Sequence, residues 1–283
     1  MKNAIFLFTF MSAISLNLFS QKTIKVDNAK QFVEAIGNDR VIQLQGSTIY
    51  LSELTSETSG QNYRFNEEFD GYELCIFGAS NLKIVGLGNK PVKIITQPLY
   101  GDVIFFENCK NITIENVDAG HGPEKGNCSG GVFNFSDCSN INIVNSIMYG
   151  SGIEGITGIR VDGLKCTNSV IRGCTYSILS IQECKNFIFT DCEFSDNKEF
   201  DLINIDNCSS IKFNKCTIAN NSTGKEDYSS YALLNIKNSS QVVFQDSKFE
   251  SNSTIYFCTD PKSFELKNTK KTNNSFYKGE FKE

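Results

Sequence analysis

The chain has a single histidine, and it lies in a glycine-rich segment beside groups that could carry out acid–base chemistry. His121 follows Asp118 by three residues, and its segment reads GHGPEKGNCSGGV. Imidazole has an ordinary pKa of about 6.5, and a neighbouring carboxylate can orient it as a general acid or base. A second glycine-rich segment, YGSGIEGITGIR, contributes Glu154. We therefore predict Asp118, His121 and Glu154 as candidate catalytic residues.

Candidate ligand contacts lie in the same two segments. Glu124 and Lys125 follow the histidine in the first segment, and Tyr149 and Arg160 belong to the second. Charged and phenolic groups on a backbone that glycine allows to approach closely suit a sugar-sized ligand, which needs several hydrogen bonds. The alternative is that these side chains only order two loops.

Composition restricts the chemistry further. One histidine excludes a multi-histidine metal centre, and no aspartate cluster falls on a single repeat, so we expect no metal ion and no cofactor. Lys and Arg number 27 against 32 Asp and Glu, a net charge of -5, which argues against nucleic acid as a partner. After residue 20 no stretch is long and apolar enough to span a bilayer, and we expect a monomer.

A repeat determines where these residues lie. Six segments of the form ENCKNITIENV are anchored, at spacings of 29, 28, 18, 24 and 31 residues, on Cys109, Cys138, Cys166, Cys184, Cys208 and Ser239. Apolar and polar residues alternate around each anchor, which predicts strands, and the 18-residue unit leaves no room for a helix. Three short strands and three turns per unit predict an all-β parallel β-helix in which each unit is one coil. A turn ladder of asparagines is predicted at Asn111, Asn140, Asn168 and Asn186.

Most cysteines follow this repeat. Eight of the eleven lie at an anchor or eight residues after it, where a small apolar side chain suits a tight interior corner. We predict buried thiols with a packing role at Cys109, Cys138, Cys166, Cys174, Cys184, Cys192, Cys208 and Cys216. Cys75, Cys128 and Cys258 lie outside the register, and their pairing stays open.

The two ends of the chain carry other signals. Lys2, an apolar run and small or polar residues near position 20 predict a secretory signal peptide, and hence a secreted or periplasmic protein. Asn28 and Gly37 bracket a short amphipathic helix that would cap the first coil. We divide the chain into a signal peptide (1–20), an N-terminal cap and first coil (21–73) with a polar loop at 53–70, β-helix coils (74–257), and an irregular coil with a solvated tail (258–283).

Insertions indicate where function lies, because loops on a rigid solenoid carry binding residues. The segments between coils span 120–132 and 149–160 in two consecutive coils and only 177–178 in the third. Two ridges beside a dip predict a groove along the stack. We expect the three catalytic candidates and Tyr149 to converge on it.

The coil register, the inward cysteines and the asparagine ladder over residues 74–257 resemble the superfamily of pectate lyases and polygalacturonases. This resemblance implies a right-handed parallel β-helix, here with a short N-terminal capping helix, and acidic polysaccharides as substrates of many members. AGHGPEKGNCSGGV and NINIVNSIMYGSGIEGI also resemble bacterial right-handed β-helix repeat proteins of unassigned activity. Gly120-His121-Gly122 matches the tripeptide of polygalacturonases, whose Asp-Asp pair, Asn-Thr-Asp segment and Arg-Ile-Lys motif are absent here. The clustered calcium-binding aspartates of pectate lyases are absent too.

Three functions are compatible with this sequence. The leading hypothesis is an exported β-helix protein that binds, and in its stronger form modifies, a polysaccharide or cell-surface glycan on the side that bears the insertions. The first alternative is a non-enzymatic structural or adhesion module, and the second is a polysaccharide lyase or glycoside hydrolase. A glycan site should hold aromatic side chains and carboxylates in one groove, whereas an adhesive face should be flat and repetitive.

Overall fold

The computed structural model describes residues 21–46, 48–54, 58–122, 130–150, 152–224 and 231–281. The predicted signal peptide, Glu124, Lys125 and Cys128 lie outside these described residues. Within the described ranges, no helix is long and apolar enough to cross a membrane.

Short strands follow one another in a fixed order, and strands with the same place in the repeat pair with each other. They form three long sheets, which we call A, B and C, and each coil of the chain passes through all three. The pairs between successive coils are parallel, as in sheet A between β-strands of neighbouring anchored segments. The predicted parallel β-helix is confirmed.

The strands are numbered along the chain. Sheet A contains β1 (Lys22–Val26), β2 (Arg40–Leu44), β6 (Ser80–Gly86), β9 (Lys110–Glu115), β12 (Ser139–Val144), β15 (Asp162–Thr167), β18 (Lys185–Thr190), β21 (Ser209–Asn214), β24 (Ser240–Gln245) and β27 (Glu265–Lys267). Sheet B contains β3 (Thr48–Tyr50), β7 (Val92–Thr96), β10 (Val117–His121), β13 (Ile147–Tyr149), β16 (Val170–Arg172), β19 (Glu193–Ser195), β22 (Thr217–Ala219), β25 (Lys248–Glu250) and β28 (Lys270–Thr272). Sheet C contains β4 (Tyr63–Glu68), β5 (Gly71–Phe77), β8 (Ile104–Glu107), β11 (Phe133–Ser136), β14 (Glu154–Ile159), β17 (Ser177–Gln182), β20 (Ile203–Asp206), β23 (Ala232–Lys237), β26 (Ser253–Cys258) and β29 (Ser275–Phe281).

The core is a column of side chains that point inward from every second position of each strand. In-register stacking places like residues above one another. Phe189 and Phe213 stack with ring centroids 4.8 Å apart, and Phe213 and Phe244 stack at 4.4 Å. Each coil therefore buries its apolar side chains against the next coil, and this burial stabilises the solenoid.

The third anchored coil has a different register from the one predicted. Cys166 pairs with Ile143 and lies within a strand of sheet A, away from the anchor position. The anchor is Val161, whose backbone N–H donates to Cys184 Sγ at 3.4 Å. The units on either side of Val161 are each 23 residues long, so the predicted 18-residue unit does not exist. Because a valine stands where the neighbouring coils have a cysteine, the sequence pattern does not show this anchor. The pattern points instead to the next cysteine along the chain, Cys166.

With the corrected register, Asn168 and Cys174 each lie at a different position of the coil from the one predicted. Asn168 Nδ2 donates to Asn145 Oδ1 at 2.7 Å, in the turn from sheet A to sheet B. The Cys174 N–H donates to Asn197 Oδ1 at 3.0 Å, at the head of a buried ladder of amides. The exposed ladder lies at the start of sheet A and runs through Asn140, Asn111, Asn81 and Asp39.

The corrected register also changes the loops from sheet B to sheet C. Loops 149–155 and 172–178 have equal lengths, so the predicted ridge beside a dip is wrong. The long connections are 120–132 and 219–233, and three coils with short loops lie between them.

A short helix covers the N-terminal end of the stack, as predicted. Helix α1 (Ala29–Ala35) begins after Asn28, whose Oδ1 accepts a hydrogen bond from the Gln31 N–H at 3.0 Å. Phe32 and Val33 are fully buried against the first coil. The helix therefore shields an apolar end that would otherwise face water.

The segment 53–70 is not the polar loop that its composition predicts. After a 3-10 turn at Leu51–Glu53, strand β4 pairs antiparallel with β5. Tyr63 and Phe65 alternate inward, and Arg64 between them points outward and binds Glu107 at 2.7 Å. The strand forms within an otherwise polar stretch because these two alternating aromatic side chains are buried.

The C-terminal segment is also more regular than predicted. Strands β27, β28 and β29 add one further coil, where an irregular coil and a solvated tail were expected. The side chains of β27 and β28 are exposed because no described coil covers them. Lys271 lies over the Phe257 ring, 4.6 Å from its centroid, and pairs with Glu280. This polar cover explains why the apolar pattern fades at the end of the sequence.

All ten cysteines that the structure describes are buried, and no disulfide bond joins any two of them. The prediction of buried thiols is therefore confirmed for the eight cysteines named from the repeat, and Cys75 and Cys258 are buried thiols as well. Burial raises the pKa of Cys75 to about 12 and that of Cys258 to about 11, so neither is a thiolate at neutral pH.

Candidate functional site

Each coil turns three times, and the three turns differ in regularity. The turns from sheet C to A and from A to B are short and recur in coil after coil. The connections from sheet B to sheet C, which we call the B–C corners, vary in length and composition. Because irregular turns on one face of a solenoid are where binding residues collect, the B–C corners are the candidate site.

A column of polar residues lies where the B–C corners enter sheet C. In successive coils this position is filled by Asp102, Gly131, Glu154, Ser177 and Asp201, which we call the carboxylate column. Glu154 pairs directly with Ser177 across the two neighbouring strands. The column thus brings carboxylates from three coils to one edge of the sheet.

Asp102 joins its own coil to both neighbours. Its Oδ1 accepts a hydrogen bond from Gly131 N at 2.6 Å, and its Oδ2 accepts one from Asn134 Nδ2 at 2.9 Å. Its own N–H donates to Glu73 Oε2 at 2.8 Å, and Asn66 Nδ2 donates to Glu73 Oε1 at 3.1 Å. A Cβ at position 131 would approach the Asp102 carboxylate to 2.7 Å, so glycine is required there.

Asp201 repeats this arrangement lower in the stack. Its Oδ1 accepts from Ala232 N at 2.6 Å, and its Oδ2 accepts from Asn235 Nδ2 at 3.0 Å. Asn235 Nδ2 also donates to Asn204 Oδ1 at 2.8 Å. The same Asp–Asn pair therefore occurs twice along the column.

Burial sets the protonation of Glu73, which lies beside the column, and of the column acids Asp102 and Glu154. It raises the pKa of Glu73 to about 7, with a further contribution from Asp102, and the pKa of Glu154 to about 7. It raises the pKa of Asp102 to about 6 against the two hydrogen bonds that favour the charged form. The ion pairs found among the described residues include none of these three acids. Each group can therefore gain or lose a proton near neutral pH.

An aromatic row adjoins the carboxylate column. Tyr176 and Phe200 directly precede Ser177 and Asp201, and their ring centroids lie 4.4 Å apart. Phe200 and Tyr231 follow at 4.9 Å, and Phe200 is exposed. The rings meet edge to face, at interplanar angles of 78° and 66°, so each open ring face is a separate contact on which the apolar face of a sugar ring can pack. We call Tyr176, Phe200 and Tyr231 the aromatic row.

His121 lies beneath a B–C corner, in the interior. Its side chain is 3% exposed, and its Nε2 lies 3.0 Å from the Gly101 carbonyl oxygen. A Cβ on Gly130 would come within 3.0 Å of the same nitrogen, so the ring fills the space under the corner backbone. Burial lowers the pKa of His121, which keeps the ring neutral at pH 7.

Asp118 and Tyr149 lie together, but on the outer face of sheet B. Arg172 lies over the Tyr149 ring at 5.4 Å from its centroid, so the sequence missed a third member of this group. Burial raises the pKa of Asp118, although Arg172 and Lys93 act in the opposite direction. The group is a compact polar patch on sheet B.

Arg160 lies at a third place, in the turn from sheet C to sheet A. Its guanidinium donates two hydrogen bonds to the Asp137 carboxylate, each at 2.7 Å, and both side chains face solvent. The predicted convergence is therefore not found. His121 is interior, Asp118 and Tyr149 lie on sheet B, and of the three catalytic candidates only Glu154 belongs to the carboxylate column.

Two parts of the site were missed in the sequence, although a signal for one was present. DVIFFENC and DLINIDNC place Asp102 and Asp201 seven residues before an anchor cysteine. Glu154 also lies seven residues before its anchor once Val161 is recognised as that anchor. The aromatic row lies one position earlier in each coil, so it depends on the same register.

The comparisons with known proteins agree with this architecture. The family described as "Right handed beta helix region" matches residues 99–279, and the chain belongs to this family. A search of curated protein sequences finds no match.

Among solved structures, similar folds include the surface adhesin PfbA of Streptococcus pneumoniae, at 9% identity over 92% of this chain and 88% of that chain, with a TM-score of 0.42. They also include an alginate lyase of Paenibacillus sp. str. FPU-7, at 11% identity over 92% and 97% of the two chains, with a TM-score of 0.41. A pectate lyase of Xanthomonas campestris matches at 10% identity over 90% and 79%, with a TM-score of 0.40.

Proposed function

We propose that this β-helix protein binds a polysaccharide along its B–C corners. The observation that carries the proposal is the aromatic row beside the carboxylate column. Aromatic rings can support the apolar faces of successive sugar rings, and carboxylates can accept hydrogen bonds from their hydroxyl groups. Successive coils repeat every 4.8 Å or so, which gives an elongated surface suited to a chain-like ligand.

A purely structural or adhesive module is less consistent with these features. Such a module would present a flat and repetitive face, as the exposed asparagine ladder does on sheet A. The B–C corners instead change residue type from coil to coil and concentrate acids whose pKa values are raised by burial. Acids whose pKa values are raised by burial are typical of binding and catalytic sites.

The proposal is tested by removing one ring of the aromatic row. Phe200→Ala should weaken binding at least about tenfold, corresponding to about 1.4 kcal/mol, in affinity electrophoresis against a panel of plant, algal and host polysaccharides. Tyr277→Ala is the matched control, because Tyr277 is an exposed aromatic residue at the end of sheet C and is 62% exposed. Equal migration of the two variants and the wild type with every binding polysaccharide would reject the site.

Glycoside hydrolysis is a second candidate, favoured by the acids near Glu154. A carboxyl group whose pKa is about 7 can protonate a leaving oxygen, and Asp102 could act as the second carboxylate in the same column. Release of reducing ends from a bound polysaccharide, lost in Glu154→Gln while binding persists, would establish this activity. Binding without released ends would leave the protein as a binding module.

We also propose that the protein is exported and acts outside the cytoplasm. The N-terminal sequence supports this, because its charge, apolar run and small residues are typical of a signal peptide. Mass spectrometry of the mature N-terminus after expression in a bacterial host should find a chain that begins near Gln21. An intact Met1 on protein recovered from the cytoplasm would contradict the proposal.

A further inference from the structure

A second pair of aromatic rings lies near the N-terminal end of the B–C corners. The tip of the β4–β5 hairpin, residues 68–71, rests on the corner that joins β7 to β8. There the Phe69 ring packs beside Tyr100, with ring centroids 5.0 Å apart and an interplanar angle of 53°. Phe69 is 86% exposed, more than any other large hydrophobic side chain in the described ranges. We call Phe69 and Tyr100 the upper platform.

The hairpin tip is fixed to this corner. The Asp70 carboxylate accepts hydrogen bonds from the Leu99 N–H at 2.7 Å and from the Tyr100 N–H at 3.3 Å. A Cβ at position 71 would come within 2.5 Å of the Pro98 ring, so glycine allows the hairpin to approach this closely. An exposed ring on a fixed support loses little conformational freedom when a ligand packs on it, and this favours a binding role.

The upper platform and the aromatic row lie along the same edge of sheet C. Tyr100 belongs to the corner that enters β8, and Tyr176 belongs to the corner that enters β17. These two strands are three coils apart, which is about 14 Å at about 4.8 Å per coil. The two corners between them, residues 122–132 and 150–153, contain no aromatic residue. The edge therefore carries two separate ring clusters, with Glu154 between them.

This separation has a consequence for the length of glycan that can use both clusters. At one sugar ring for each aromatic ring, a trisaccharide covers the aromatic row and does not reach the upper platform. A longer linear chain contacts both clusters. Its second contact forms within the same complex, which raises the overall affinity without either contact being tight by itself.

We infer that the upper platform is a second contact for the polysaccharide, and that the B–C corners select extended linear chains over short oligosaccharides. The inference rests on the proposed glycan binding at the aromatic row. It adds the class of ligand and assigns Phe69 as the residue that distinguishes chain lengths. A chain held at both clusters passes Glu154 with an internal sugar unit.

Chain length and the two ring clusters are tested together by isothermal titration calorimetry. Xylan, laminarin and polygalacturonate are each compared with the trimer of the same sugar. The wild type should bind the polymer at least about tenfold more tightly per site than the trimer. Phe69→Ala should remove this difference by weakening polymer binding alone, whereas Phe200→Ala should weaken the binding of both. Tyr277→Ala, the matched control, should bind both like the wild type.

Two results would overturn the inference and leave the proposed function in place. One is equal affinity of Phe69→Ala and the wild type for a polymer that Phe200→Ala binds weakly. The other is an equal loss of trimer and polymer binding in Phe69→Ala, because Phe69 would then belong to the same contact as the aromatic row.

The remaining results concern both proposals. If only another polysaccharide of the panel binds, Phe69→Ala must be retarded less than the wild type in its affinity gel, and equal retardation overturns the inference. If Phe200→Ala binds every polymer like the wild type, or if no polysaccharide binds at all, the proposed function and the inference are both rejected.

Discussion

The buried amide ladder and the carboxylate column both place polar side chains where water is scarce, but they differ in how completely those side chains are hydrogen-bonded. In the ladder, Asn221 Oδ1 accepts hydrogen bonds from Asn197 N at 3.1 Å and Asn197 Nδ2 at 2.9 Å. Its Nδ2 donates to Phe194 O at 2.9 Å and to Asn252 Oδ1 at 3.0 Å. Every hydrogen-bonding group of this amide is used between coils.

Around Glu154, in contrast, side chains of the column and beside it are only partly paired, although Asp102 and Asp201 are hydrogen-bonded between coils. Glu154 accepts one long hydrogen bond, from Thr157 at 3.4 Å, and burial raises its pKa to about 7. Asn134 Oδ1 has no partner among the described residues. Buried polar groups that are fully paired hold a fold together, whereas groups left with unused capacity mark a site that a ligand can complete.

The largest effect is expected from breaking the amide ladder. Asn221→Ala removes four hydrogen bonds and leaves the Asn197 N–H buried without an acceptor, so unfolding should become easier by about 3 kcal/mol. This corresponds to a Tm lower by about 10 °C. Asn140→Gly, which removes an amide from the exposed ladder at a position with φ of 55°, should change Tm by only a few degrees. Similar losses in the two variants would mean that burial does not distinguish the ladders.

An intermediate effect is expected at His121, which supports the corner from below. His121→Ala opens a cavity and removes the contact with Gly101 O, so it should destabilise the fold by about 2 kcal/mol. His121→Gln, which retains an N–H donor, should recover part of this loss in thermal denaturation. If His121→Ala melted like the wild type but bound no glycan, the imidazole would belong to the ligand site.

The smallest effect is a dependence of the melting temperature on pH, which the acids in and beside the column should cause and the uncharged amide ladder should not. Glu73 and Glu154 keep protons in the folded protein above the ordinary glutamate pKa of about 4.3, so their contribution favours folding at low pH and is lost as pH rises through about 7. Tm should therefore fall by about 3 °C between pH 6.5 and pH 8, and by about half as much in Glu154→Gln. An unchanged slope in that variant would show that Glu154 is charged in both states.

The sequence predicted the architecture well because stacking imposes it at every coil. The alternation around Cys109 and Cys138 is enough to establish parallel strands, and one interruption does not remove the pattern. The same interruption caused the error in the predicted site. Mistaking Cys166 for the anchor at Val161 moved Glu154 out of its column and turned two equal loops into a ridge and a dip.

Side-chain direction could not be deduced from the composition of the glycine-rich segments. Asp118 and His121 are three residues apart in one strand, so Asp118 faces outward while His121 faces the interior. Proximity in sequence was interpreted as convergence, but the period of a strand places neighbours on opposite faces. The aromatic row has no local motif at all, because its members are more than 20 residues apart and meet only through stacking.

The most direct test of the account is hydroxyl-radical footprinting of the wild-type protein with and without the polysaccharide that binds it most tightly. Mass spectrometry reports the oxidation of each aromatic side chain. Tyr176, Phe200 and Tyr231 should be protected by the ligand, while Tyr277 is oxidised equally in both states. Protection of Tyr50 and Tyr149 on sheet B, with the aromatic row unprotected, would contradict the assignment of the B–C corner as the binding site.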